Sequence, residues 1–104
     1  MYPKKKPRIM TYYIMINKTT LNYFVNKSQR PKTSVRHHFH RANNPQRDDY
    51  NGDFYTALRE YGEEGFDISF SLEAPEWMVR RAHYMPRPEG LTLEQMRGTY
   101  VLDE

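Results

Sequence analysis

The sequence predicts a small α/β domain of the α+β kind: a three-stranded antiparallel sheet flanked by helices. Three observations lead there. Three short segments are rich in β-branched and aromatic residues or alternate cleanly, at 11–16, 21–25 and 66–72. Two segments between the second and third carry apolar residues at helical spacing. The chain has 104 residues, enough for one small domain and too few for two.

Each element has a local reason. "TYYIMI" (11–16) reads as a strand, "NKTT" (17–20) as a turn and "LNYFV" (21–25) as a second strand, together a β-hairpin. "NKSQRPK" (26–32) is a loop. In "TSVRHHFHRA" (33–42), Ser34 is a candidate N-cap, and Val35, Phe39 and Ala42 share one helix face. "NNPQRDDYNG" (43–52) is a loop. In "DFYTALREYG" (53–62), Phe54, Ala57, Leu58 and Tyr61 form a stripe, with Asp53 able to cap the start and Gly62 the end. "FDISFSL" puts Phe66, Ile68, Phe70 and Leu72 on one face of a third strand. A short helix is expected in "PEWMVRRAH", starting at Pro75, and a last one in "LTLEQMRG", ending near Gly98. The expected order is β-β-α-α-β, then one or two short helices. Residues 1–10 form a basic, proline-broken arm, and 11–104 the single domain. No repeat or low-complexity tract is present.

Composition narrows the function classes. Nine Tyr, five Phe and one Trp supply an aromatic core despite a hydrophobic content of 38%. No apolar run approaches a membrane span, and "MYPKKKPR" has no apolar region behind it, so neither a membrane protein nor a signal peptide is expected. The absence of Cys removes disulfide and thiolate chemistry and fits a cytoplasmic protein. Charge is segregated. Residues 1–47 carry eleven Lys or Arg and no acid, while 48–104 carry five basic and thirteen acidic residues. A basic half this pure points to a polyanion, most simply nucleic acid.

The element order and the residues on it resemble the GIY-YIG nuclease family over roughly residues 11–73. "TYYIMIN" looks like the first motif, with Tyr13 at the motif tyrosine and Thr11 where the glycine would be. "FVN" looks like the second. Phe24 stands at its tyrosine, or Tyr23 serves from a shifted register, and Asn26 replaces its glycine. Arg36 and His40 match the family's helical Arg and the His four residues later. "FYTALREYGEEGFDISFSLE" looks like the helix, Tyr-Gly and strand that follow. The resemblance implies one metal-binding glutamate after the third strand. Glu94 is the preferred position, with Glu76 and Glu89 as alternatives.

Those residue types suit phosphodiester hydrolysis. Mg²⁺, or Mn²⁺, polarises the phosphate and needs only one or two protein carboxylates. Tyr13, made more acidic by nearby positive charge, would take the proton from water. Arg36 would clamp the phosphate, and His40, one turn on, would orient Tyr13 or relay a proton. In this reading Arg36 and His40 face the site. His37, His38 and Arg41 edge a basic surface that also includes Lys27, Arg30 and Lys32. A zinc site from His37, His40, His83 and a carboxylate is the rival metal reading, and it lacks a second strong ligand pair. Trp77, beside Arg80 and Arg81, would stack on a base or cap the core, and the scattered Met residues are core filler. The expected function is a divalent-metal-dependent DNA endonuclease. The alternative is a degenerate GIY-YIG-like domain that binds nucleic acid or a protein partner without cutting, within a nucleoprotein assembly. The partner is DNA, with RNA the alternative, and a second protein is expected to supply specificity.

Overall fold

The structure, a computed structural model, describes residues 9–74, 83–86 and 89–97. Strand β1 (Thr11–Asn17) lies at the centre of the sheet. It pairs antiparallel with β2 (Tyr23–Ser28) on one side and with β3 (Phe66–Ser71) on the other. Between β2 and β3 come α1 (Pro31–Ala42), α2 (Asp53–Tyr61) and a 3₁₀ turn over Glu63–Gly65. A short helix, α3 (Leu93–Arg97), follows. The expected α+β sheet and its element order are therefore present. Residues 1–8 of the basic arm, and 75–82 of the helix expected in "PEWMVRRAH", with Glu76, Trp77, Arg80 and Arg81, lie outside the described residues.

Strand alternation divides the core into two layers. Tyr13 and Met15 of β1, Phe24 of β2 and Phe66 of β3 point to α1 and α2, where they meet Val35, Ala42, Tyr55, Ala57 and Leu58. Ile14, Ile16, Tyr23 and Val25 point to the other face, where Met85, Leu91, Leu93 and Met96 cover them. Residues 83–86 run along the outer edge of β2. There Met85 and Tyr23 exchange both main-chain hydrogen bonds, at 2.9 and 2.8 Å. This blunts one end of an open sheet edge.

The hairpin turn is built on Asn17. Its buried Oδ1 accepts from the backbone N–H groups of Thr19 (2.9 Å) and Thr20 (3.2 Å), and its Nδ2 donates to the Tyr84 hydroxyl at 3.2 Å. The turn closes through Leu21 at φ +62°. A branched side chain is strained there and glycine would be the easy residue. Its packing on the second layer offsets that cost.

Helix ends differ from expectation in detail. α1 begins at Pro31, about one turn before Ser34. Proline at N1 is preset for a helix and loses no bond there. The Ser34 hydroxyl bonds the Ser28 hydroxyl at 2.7 Å instead of capping. At the other end the Arg59 guanidinium donates to the Ala42 carbonyl at 2.6 Å, and its plane lies over the Tyr50 ring at 3.7 Å. One side chain thus joins α2, the last turn of α1 and the intervening loop. α2 matches its expected span, but Gly52 is the N-cap and Asp53 sits inside the first turn, where its charge suits the helix dipole. Gly62 ends it at φ +69°, as expected of a C-terminal glycine. α3 opens with a reciprocal pair: Gln95 N–H to Thr92 Oγ1 at 3.2 Å, and Thr92 N–H to Gln95 Oε1 at 2.9 Å. On β3, Phe66, Ile68 and Phe70 share the helix-facing layer, whereas Leu72 lies past the strand end and is 53% exposed.

Leu58 is 2% exposed at the centre of the α2 stripe. Leu58→Ala should lower unfolding free energy by about 2–4 kcal/mol, from lost transfer energy and the residual cavity. Urea titration reads this directly, and a change below about 0.5 kcal/mol would put the wrong face of α2 inside.

Candidate functional site

Tyr13 lies at the floor of the helix-facing layer, 3% exposed. Its hydroxyl is 2.9 Å from Nε2 of His38, and Nδ1 of the same ring is 3.2 Å from the Tyr55 hydroxyl. A neutral imidazole has one N–H and one lone pair. One tyrosine therefore donates to the ring and the other accepts from it. The chain ties β1, α1 and α2 together through one side chain. Around it Phe24 and Phe54 stack at 4.2 Å, and the His38 ring meets both edge-on at 5.2 and 5.4 Å. Tyr84 continues the aromatic wall, 5.5 Å from Phe54.

Burial sets the protonation states. It pushes the His38 pKa down from its ordinary 6.5 to about 4, with the Arg41 charge adding to the effect. Burial also raises the Tyr13 hydroxyl, against an opposing pull from the Asn26 side chain. At neutral pH both groups are uncharged. Tyr13 is thus held away from the acidified hydroxyl that water activation calls for, and His38 is a weak base.

An open recess of about 570 Å³ adjoins this chain. Phe24, Phe54, Tyr55 and Tyr84 form apolar walls; Asn26, His38, Arg41, Arg47, Asp49, Asp53 and His83 supply polar groups. Arg47 and Asp49 make a two-point ion pair at 2.9 and 3.2 Å.

The sequence-derived site is only partly assembled here. Tyr13 is buried beneath the recess and does not line it; the helix residue that reaches the Tyr13 hydroxyl is His38, which does line the recess, with Arg41 one turn on. Arg36 and His40 do not face Tyr13. Both are exposed, and Arg36 lines a separate shallow hollow with Lys32, Val35, Glu63, Ile68 and Phe70. The physical reason is the rotation of α1, whose inward stripe is Val35, His38, Phe39 and Ala42. Tyr23 cannot substitute for the second-motif tyrosine, because strand parity turns it to the opposite layer while Phe24 faces Tyr13. Glu94 is not beside Tyr13 either. α3 packs through Leu93 and Met96 on the far face of the sheet, and Glu94 is exposed there. Glu89 is exposed as well. The described donors therefore do not fit a Glu94-centred Mg²⁺ or Mn²⁺ site. No group of three His, Asp or Glu arranged for a metal, zinc included, occurs among the described residues. Lys27, Arg30, Lys32, Arg36, His37, His40 and Arg41 are all partly or fully open to solvent along the end of β2 and α1.

No protein-family model matches the chain, and no curated protein or solved structure matches it. No helix among the described residues is long and apolar enough to cross a membrane.

The His38 shift makes a pH prediction. Well above pH 6.5 the ring is neutral folded and unfolded, and adds no pH dependence. As pH falls from 6.5 towards 4 the unfolded chain binds a proton that the folded chain refuses, so stability drops. The loss should total on the order of 2–3 kcal/mol after allowance for partial exposure. His38→Phe should flatten this part of a urea-midpoint profile against pH; an unchanged slope would mean that His38 is not the group responsible.

Proposed function

We propose that the chain is a nucleic-acid-binding domain, GIY-YIG-like in its order of elements, that works by binding rather than cutting. The observation that carries this is the solvent-facing basic surface of α1 and the end of β2. Lys32, Arg36 and His40 follow one another at four-residue steps, as do His37 and Arg41, with Lys27 and Arg30 just before them. No carboxylate occurs anywhere in the first forty-seven residues to interrupt that field. A row of side chains four residues apart repeats about every 6 Å along a helix, close to the phosphate spacing of a nucleic acid strand. Affinity from such a surface comes mainly from counterion release.

A second reading, a metal-dependent nuclease, draws support from one feature: the Tyr13–His38 contact beside an open recess with Arg41 at its rim. Weighing against it are the uncharged state of both groups, Phe24 in place of a second tyrosine, and the position of Glu94.

Two measurements separate these readings. Binding to a short DNA duplex should weaken by about a thousandfold between roughly 50 and 200 mM salt if about six phosphates are neutralised. Arg36→Glu should weaken it further and reduce the logarithmic salt slope by about one. Salt-independent affinity would sink the basic-surface reading. In the second measurement, supercoiled plasmid incubated with pure protein should stay intact with Mg²⁺ and with Mn²⁺. Nicking that disappears in EDTA and in Tyr13→Phe would establish the nuclease instead.

A further inference from the structure

The recess and the basic surface beside it differ in kind. The surface carries Lys, Arg and His without acids. The recess sets Arg41 and Arg47 against Asp49 and Asp53, so its formal charge is balanced, and its walls are Phe24, Phe54 and Tyr84. A charge-balanced, aromatic-walled cavity has no preference for phosphate. It suits the uncharged, aromatic part of the same polymer. Its volume of about 570 Å³ lies within the usual range for small-ligand sites.

We propose that this recess takes one unpaired nucleobase of a single-stranded nucleic acid whose phosphates lie on α1. The inference rests on the nucleic-acid reading and names its substrate class. Three features support it. Arg41 belongs to both regions, exposed on α1 and lining the recess, so a strand can pass from one to the other without leaving positive charge. The half-buried Tyr84 and Phe54 rings offer aromatic contact for a flat base, which tolerates many sequences because every base has a π-face. The polar groups are fit for a base edge: the exposed Asp53 carboxylate accepts from ring or exocyclic N–H groups, and the Asn26 amide both donates and accepts. A paired base turns its edge towards its partner inside the duplex, so the occupant must be unpaired.

The test compares single-stranded octadeoxycytidylate, an abasic octamer of equal charge, and a duplex, each by fluorescence anisotropy at fixed salt. The intact strand should bind about tenfold tighter than the abasic one, or more, since base contact with aromatic side chains adds to phosphate attraction. Tyr84→Leu and Asp53→Asn should each narrow the ratio of intact to abasic affinity; Tyr84→Leu should do so with abasic binding as it was, and Asp53→Asn while strengthening both through its lost negative charge. Asp53 is exposed, so its variant keeps the fold even if Tyr84→Leu does not. Equal binding of intact and abasic strands, or variants that leave their ratio unchanged, would overturn the recess assignment while salt-dependent duplex binding upheld the basic surface. Failure to bind any of the three would overturn both.

Discussion

His38 sits uncharged between two tyrosine hydroxyls, and the placement of both helices on the sheet follows from that contact. An ionised imidazole here would present two donors to a largely apolar layer of Phe24, Phe54 and Tyr55. The neutral ring instead has one donor and one acceptor, each with a hydroxyl that can reverse its role. Because His38 must point inward, α1 is fixed in rotation. Val35, Phe39 and Ala42 go in with it, and Arg36, His37 and His40 go out. A basic outer surface and a neutral polar chain beneath it are two consequences of the same helix angle.

Much of the architecture was legible in residue order. The clean alternation of Phe66, Ile68 and Phe70 fixed a strand and its inner face, and Phe54, Ala57, Leu58 and Tyr61 fixed α2 with Gly62 at its end. The apolar face of α1, Val35, Phe39 and Ala42, is legible in the sequence, but the inward place of His38 on it is not, because a count of apolar residues treats histidine as polar and passes over it. Val35, His38, Phe39 and Ala42 in fact make a complete helical stripe once His38 is allowed inside. Pro31 likewise marked the true start of α1 more clearly than Ser34. Two contributors left no usable signal. Arg59 looks like an ordinary charged residue of an amphipathic helix, and only the fold brings it to the Ala42 carbonyl. Leu21 adopts a backbone conformation that sequence leads one to expect of glycine or asparagine.

The candidate site is harder to read from sequence for a different reason. A strand side chain changes face at every residue, so a shift of one position exchanges the layers completely. Tyr23 and Phe24 are neighbours in sequence and occupy opposite cores. The chemistry of a glutamate after the third strand suits Glu94, Glu76 and Glu89 alike and says nothing of the face each occupies. Leu93 and Met96, the apolar residues on either side of Glu94, decide its position by packing below the sheet. Motif resemblance orders residues along a chain, whereas a reaction needs them on one face, and only packing determines the face.

The central position of β1 also shapes how the molecule comes to be. Its first neighbour, β2, follows after a short turn, but its second is roughly fifty residues away, since Asn17 pairs with Phe66. During synthesis the hairpin and both helices can emerge before β3 exists. Until then one whole side of β1 carries unpaired N–H and C=O groups next to the side chains of Tyr13 and Met15. Such an edge is a template for pairing with another chain. The strand least exposed in the finished domain thus leaves the ribosome well before the strand that closes its second edge, and the nascent chain is most prone to self-association during that interval.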